Sequence, residues 1–114
     1  MSIMNINHIT SRDYKQLYNQ LRKSAKKRDI PFELTLTEFN DITIPITCPV
    51  LGIPIFFHRG RAESDSISFD RIDSSKGYTV ENLIVVSNRV NTIKSNATLL
   101  EIELIAGFYR VIDL

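Results

Sequence analysis

One stretch of the chain, residues 66–96, most restricts the folds that are open to it. It begins with alternating residues, so that Ile67 and Phe69 fall on one face and Asp70 falls on the other. Alternation with a period of two is typical of a half-buried strand. The next apolar run, 83–86, is rich in β-branched residues and too short for a helix, which predicts a returning strand.

A turn joins these two strands and a helix follows them. Residues 73–77 read DSSKG, where Asp and Ser can bond the local backbone and Gly77 can take a positive φ. After Ser87 the period changes, because Val90 and Ile93 recur at helical spacing. The sequence therefore predicts a ββα unit within an α+β domain.

The ββα unit carries, in chain order, Asp70-Arg71-Ile72, Gly77-Tyr78, Asn82-Leu83, Asn91 and Lys94. This pattern resembles the HNH, or His-Me finger, nuclease motif, and above all the small phage HNH proteins. The resemblance implies a ββα-metal core that holds one Mg²⁺ or Mn²⁺ ion, with Asp70 and Asn91 as the metal ligands. It also implies that Asn82 orients the site and that Lys94 approaches the scissile phosphate. The activity implied is a metal-dependent DNA endonuclease that nicks or cuts phosphodiester bonds.

Arg71 departs from the pattern of active members, which usually carry a histidine immediately after the first acidic residue as the general base. An arginine is protonated at any workable pH and cannot accept a proton from water. Either another group activates the water, with Arg71 stabilising the transition state, or the unit binds without cutting. The alternative function is therefore an HNH-like module, impaired in catalysis, that binds nucleic acid or a host protein.

Two other groups near the motif could replace the missing base. His58 stands in the loop before the first motif strand, although an exposed loop histidine is the simpler interpretation. Asp73 could act as a base or a second ligand, although closing its own turn explains it equally well. Both alternatives stay open at the level of sequence.

Relatives with zinc-stabilised fingers place two CxxC pairs around the motif. Here the first pair is reduced to Cys48 with Leu51, and the second to Ser87 with Val90. A single cysteine excludes a four-cysteine zinc site within one chain, so structural zinc is not expected. It also excludes an intrachain disulfide, which is typical of a reducing cytoplasm.

Residues 11–29 predict an amphipathic helix with a strongly basic outer face. The segment carries seven basic and two acidic residues, whereas the remainder of the chain is net acidic, so the total of +1 conceals an asymmetry. Positive charge concentrated on one helix is typical of proteins that bind a phosphate backbone. The candidate DNA-binding residues are Arg22, Lys23, Lys26, Lys27, Arg59, Arg61, Lys76, Arg89 and Lys94.

The remaining segments predict supporting structure. Thr35 and Glu38 have the form of a capping box that opens a short helix ending near Asp41. Residues 42–57 predict a buried irregular hairpin in which Cys48 is a core residue, and 98–113 predict a final helix that packs on the core.

At 114 residues the chain is expected to form one domain, spanning 1–114. It has no apolar run long enough to cross a membrane and no pattern of a secretory signal at its start. We therefore expect a cytoplasmic protein, in a bacterial host if it is encoded by a phage. Residues 1–10 predict a short edge strand or arm, with His8 in a structural role.

Overall fold

The computed structural model describes residues 9–112. The expected edge strand or arm at the start of the chain, and the structural role of His8, fall largely or wholly outside these residues. The described elements are helices α1 (Ser11–Lys27), α2 (Leu36–Asn40), α3 (Asn88–Lys94) and α4 (Leu99–Ile112), and strands β1 (Ile67–Arg71) and β2 (Leu83–Ser87). A single turn of 3₁₀ helix, Val80–Asn82, leads into β2. The class is α+β, as the sequence predicts.

Local capping chemistry sets the start of α1. The Thr10 hydroxyl accepts a hydrogen bond from Asp13 N, and the Asp13 carboxylate accepts one from Thr10 N. This reciprocal capping box satisfies two of the N–H groups that a helix leaves unpaired at its start. The Asp13 side chain is only 1% exposed, and Arg59, 46 residues further along the chain, donates to it at 3.0 Å.

The short helix α2 confirms its prediction, whereas the segment after it is buried only in part, since Ile46, Val50 and Leu51 are 44–61% exposed. Thr35 and Glu38 form the expected capping box, and the helix ends at Asn40. Antiparallel hydrogen bonds then join Cys48 N to Ile53 O and Ile55 N to Ile46 O. Cys48 and Ile55 of this segment are fully buried. The segment contacts the ββα unit through Cys48, whose Sγ accepts a hydrogen bond from Ser87 N.

Strands β1 and β2 form a two-stranded antiparallel sheet in which Ile67 pairs with Ser87 and Asp70 pairs with Ile84. One face of this sheet packs on the core, where the ring centroids of Phe69 and Phe39 are 5.1 Å apart. The core residues come from α1, α2, both strands and the loops between these elements: Leu17, Leu21, Ala25, Leu34, Phe39, Cys48, Ile55, Phe69, Tyr78, Val85 and Val86. The apolar face of the motif therefore packs into this core, with Phe69 against Phe39 of α2, and its polar face stays accessible.

Gly77 has a different role from the one expected. Its φ is not positive; Gly52 is the glycine with φ +74° within residues 9–112. Instead, a Cβ at position 77 would lie 2.4 Å from the main-chain oxygen of Pro31. Tyr78 N donates to that same oxygen at 2.9 Å, so the close approach of the two backbones is what requires glycine here.

The prediction that the final helix packs on the core is wrong. Thr98 and Glu101 cap α4, but no described residue of this helix is buried. Leu104, Phe108 and Val111, which recur at helical spacing and form an apolar stripe, are 59–81% exposed. The apolar stripe is real, but the core is already filled by α1, α2 and the hairpin.

Within residues 9–112, the structure contains no helix that is both long enough and apolar enough to cross a bilayer.

Candidate nucleic-acid and metal site

A groove of about 860 Å³ runs between α1 and the ββα unit. One wall is the face of α1 that carries Leu17, Gln20, Ser24 and Arg28; the opposite side is formed by β1 and α3. Four of the predicted site residues line this groove: Asp70, Arg71, Asn91 and Lys94. Residues that are up to 24 positions apart in sequence therefore share one surface.

Asp70 and Lys94 form the closest contact in the groove. Lys94 Nζ lies 2.6 Å from Asp70 Oδ2 and also donates to the main-chain oxygen of Arg71 at 3.3 Å. The other carboxylate oxygen, Asp70 Oδ1, accepts from Arg71 N at 2.8 Å. Both side chains are between a fifth and a third exposed, so solvent or a ligand can reach the pair.

Asn91 is oriented by the strand that it faces. Its Nδ2 donates to Ser68 Oγ and to the main-chain oxygen of Phe69. Within the described part of the chain, its Oδ1 accepts no hydrogen bond. This arrangement holds α3 against β1 and leaves the Oδ1 atom available in the groove as an acceptor or a cation ligand.

Asn82 organises the loop between the strands, as the resemblance implies. Its Oδ1 accepts from Asp73 N at 2.8 Å, while Nδ2 donates to the main-chain oxygens of Asp73 and Gly77 at 3.0 and 2.8 Å. The side chain is 8% exposed and does not line the groove. Asn82 is therefore a positioning residue that fixes the loop from behind.

Arg71 folds back over the loop that follows it. Its guanidinium donates to the main-chain oxygens of Ser74 and Lys76, both at 2.8 Å, and lies 5.6 Å from the centre of the Tyr78 ring. Because these carbonyls are neutral, the positive charge is held in place but not cancelled. Arg71 thus presents a fixed cation at the edge of the groove.

Neither candidate base is in the groove lining. His58 Nε2 lies 2.7 Å from Asp65 Oδ1 in the loop before β1. Asp73 Oδ1 accepts from both Ser75 Oγ and Ser75 N, at 2.6 and 2.9 Å. The hydrogen bonds from the Ser75 hydroxyl and N–H lower the pKa of Asp73, which weakens it as a base.

Arg28 is a groove residue that the sequence analysis did not assign to the site. It follows the last residue of α1 and donates from its NH2 group to the Tyr78 hydroxyl at 2.9 Å. Together with Arg71 and Lys94 it gives the groove three cationic side chains against one carboxylate, Asp70. Helical periodicity could have identified it, since Arg28 lies four residues after Ser24 and seven after Leu21 and therefore falls on the same side of the helix.

The other predicted DNA-binding residues are more scattered. Arg59 pairs with the buried Asp13 and lies 5.3 Å from the centre of the Phe57 ring, so it has a structural partner. Lys23 lines a second, shallower depression on α1 together with Arg12 and Lys15. None of the others lines the main groove, and all of them are exposed: Arg22, Lys26, Lys27, Arg61, Lys76 and Arg89.

Two of the reduced CxxC positions meet in space. Cys48 Sγ accepts a hydrogen bond from Ser87 N at 3.3 Å, joining the hairpin to the start of α3. Burial raises the pKa of the Cys48 thiol, but hydrogen bonds from the backbone of Leu51, Ser87 and Val50 and from the Ser87 hydroxyl outweigh it and lower the value to about 7. The contact helps fix the β2–α3 junction that positions Asn91.

Two side chains of the groove carry oxygen atoms of the kind that a hard divalent cation binds. A carboxylate oxygen of Asp70 and the amide oxygen of Asn91 are the ligand types that Mg²⁺ and Mn²⁺ prefer, with water completing the shell. Lys94 already places a positive charge on Asp70. No cluster of three or more His, Cys, Asp and Glu side chains suited to a metal occurs among residues 9–112.

The chain is similar to an uncharacterized 29.0 kDa protein from the dda-modA intergenic region of Enterobacteria phage T4. The two are 29% identical over 99 residues, which cover 87% of this chain and 39% of the phage protein. The chain thus corresponds to well under half the length of that relative. No protein-family model matches the sequence, and no solved structure matches it.

Proposed function

We propose that the protein is a metal-dependent DNA endonuclease of the phage HNH type, which hydrolyses phosphodiester bonds in the groove between α1 and the ββα unit. The observation that carries this proposal is the meeting of Asp70, Asn91 and Lys94 on one accessible surface of a ββα unit. The resemblance in sequence assigns these same residues to the metal and the phosphate.

Charge in the groove supports a polyanionic substrate. Arg28, Arg71 and Lys94 line it with Asp70 as the single acidic residue, so a phosphodiester would meet a net positive surface. α1 extends this positive surface with its outer lysines and arginines. A chain whose total charge is only +1 can bind DNA in this way because its basic residues are concentrated.

In the proposed reaction, the side-chain oxygens of Asp70 and Asn91 would hold a divalent ion. Such an ion, when bound, polarises the phosphoryl oxygen and stabilises the charge on the leaving 3′ oxygen. Lys94 leaves its ion pair with Asp70 and binds the phosphate instead. Arg71 neutralises negative charge that develops in the transition state. Asn82 keeps the loop fixed while substrate binds.

Water activation is assigned to the substrate phosphate or to hydroxide from solvent. His58 and Asp73 are both engaged elsewhere, with Asp65 and with Ser75. Among the described residues that line the groove, Asp70 is the single carboxylate and no histidine is present. This chemistry is slower than general-base catalysis by a positioned histidine, so we expect a weak nuclease.

A second candidate is a binding module that does not cut. It is favoured by the contacts of Arg71 and Lys94, because each cation already has partners inside the site. In that case the groove would hold DNA or an acidic surface of a host protein.

Supercoiled plasmid separates the two candidates. Purified protein is incubated with plasmid in Mg²⁺, Mn²⁺ or EDTA, and nicking and mobility shift are measured in parallel. Nicking that requires the metal supports the nuclease. A mobility shift without nicking under any condition supports the binding module.

A further inference from the structure

The apolar face of α4 is the largest unexplained feature of the described chain. Eight large apolar side chains of this helix are each more than half exposed: Leu99, Leu100, Leu104, Ile105, Phe108, Tyr109, Val111 and Ile112. Scattered exposed apolar residues are ordinary on protein surfaces, but a contiguous cluster of this size marks an interaction surface.

The exposed residues form a face rather than a random set. Leu104, Phe108 and Val111 recur at intervals of four and three, and Ile105 and Ile112 flank them. Leu100, one turn before Leu104, completes a face of six residues. Leu99 and Tyr109 are also exposed, but they lie toward the far side of the helix with Ala106 and Arg110 and are not part of this face. An isolated helix of this length is marginal in water, so it needs a partner along the apolar face.

We propose that α4 forms the interface of a homodimer, in which its apolar face packs against the same face of a second copy of this chain. This inference does not rest on the proposed nuclease activity. A twofold interface uses one patch twice and therefore needs no complementary surface elsewhere. Since α4 follows α3 after a short connection, the dimer would tie two motif sites together.

The area of the face agrees with a dimer. At about 150 Å² for each large side chain when fully exposed, the six residues of the face, which are 58–81% exposed, present on the order of 600 Å². Stable protein interfaces bury about 600–1,000 Å² on each partner. The face therefore reaches the lower end of this range when all of it is covered.

The charge of α4 argues against other occupants. Helices that lie on membranes carry Lys and Arg on their polar face, and nucleic acid also requires positive charge. α4 has Glu101 and Glu103 against the single Arg110. An apolar face on a slightly acidic helix is suited to protein, and a second copy supplies a matching face.

Sedimentation equilibrium of the full chain tests this dimer. We expect wild type to reach the mass of two chains as concentration rises. Leu104→Lys should raise the dimer dissociation constant by at least about 100-fold. Both chains of the dimer carry the substitution, so the interface loses two leucines and gains two charges. Phe108→Lys, one turn further along the same face, should have the same effect.

Leu99→Lys is the matched control. Leu99 is as exposed as Leu104 but lies on the opposite side of the helix from Phe108, so its substitution should leave the dimer intact. Far-UV circular dichroism should show the same helix content in wild type and Leu99→Lys, and in the two disrupting variants a loss no larger than the 14 residues of α4, since each site is exposed in the single chain and the core is unchanged. A wild type that stays monomeric at every concentration would overturn the proposal. Equal dissociation constants for Leu104→Lys and Leu99→Lys would also overturn it.

Discussion

Lys94 on α3 and Asp70 on β1 meet in an ion pair of 2.6 Å at the point where the proposed cation and phosphate would bind. In the proposed reaction the lysine would therefore have two competing functions. It would shield the Asp70 carboxylate before substrate arrives, and it would be the nearest cation available for the phosphate once it is released from Asp70. This double role distinguishes the groove from a simple surface salt bridge, which contributes little to stability.

Replacing Lys94 should separate metal binding from cleavage. We expect Lys94→Met to bind Mn²⁺ more tightly, because a competing charge has been removed, while cleaving plasmid about 100-fold more slowly. Mn²⁺ affinity is measured by isothermal titration calorimetry. Lys76→Met, at a side chain that is 74% exposed and outside the groove, is the control and should change neither quantity. An unchanged Mn²⁺ affinity in Lys94→Met would place the metal elsewhere.

Arg28 should contribute more to DNA binding than the basic residues on the outside of α1. Arg28→Gln should weaken binding and reduce the salt dependence of affinity by about one phosphate contact. Arg22→Gln removes the same charge from the outer face of α1 and should have a smaller effect. Arg22 is exposed there and makes one long hydrogen bond, 3.4 Å from its NH2 group to Asn19 Oδ1. Affinity is measured by fluorescence anisotropy over a range of salt concentrations. Equal losses for the two variants would indicate that the whole helix surface, and not the groove, binds DNA.

The close approach of Gly77 to Pro31 makes a simple stability prediction. Gly77→Ala places a Cβ 2.4 Å from a main-chain oxygen, so the backbones must separate at a cost of about 1–3 kcal/mol in the free energy of unfolding. Gly60→Ala is the control, because a Cβ there meets nothing within 4 Å. Urea unfolding of both variants checks the difference. Equal stability would show that the loop can shift freely.

Asp13 should make stability depend on acid pH. The hydrogen bond from Thr10 N lowers its pKa most; burial opposes this, and the Thr10 hydroxyl and Arg59 lower it further. Because the folded pKa lies below the ordinary value of 3.8, the stabilisation is present above that value and is lost as pH falls through the folded pKa.

Unfolding free energy should therefore decline below about pH 4, where Asp13 begins to protonate in the unfolded chain. Asp13→Asn should lower stability at neutral pH by about 1–3 kcal/mol and flatten this acid dependence. Urea unfolding between pH 3 and 7 measures both. The same acid slope in wild type and variant would assign it to other carboxylates.

The pH dependence of cleavage should identify the source of the attacking nucleophile. No described histidine lines the groove. Attack by hydroxide from solvent should make the rate rise about tenfold per pH unit through the neutral range, whereas activation by the substrate phosphate should leave the rate nearly independent of pH there. A histidine base would make the rate level off there. A plateau in wild type that disappears in His58→Ala would show that His58 moves into the site.

Local chemistry explains which predictions from sequence succeeded. The starts of α1, α2 and α4 follow from capping residues three positions apart, and the ββα unit follows from a change of period. These signals depend on neighbours along the chain, so one sequence is enough to read them. The placement of Asp70 and Asn91 in one groove followed from the same unit.

Features that depend on tertiary placement could not be read in this way. The sequence alone does not show that Arg59 pairs with Asp13, 46 residues away. The position of Arg28 in the groove depends on which face of α1 meets the core. The apolar stripe of α4 is typical of any buried helix, and only the filled core shows that the stripe remains exposed.

Metal-dependent plasmid nicking by wild type and Asp70→Asn is the most direct measurement of the proposed activity. The substitution keeps the size and shape of the side chain and removes the carboxylate that both Lys94 and the metal require. The account predicts that wild type nicks in Mg²⁺ or Mn²⁺, that EDTA and Asp70→Asn abolish nicking, and that DNA affinity changes by less than about twofold. Nicking by Asp70→Asn at the wild-type rate would contradict it.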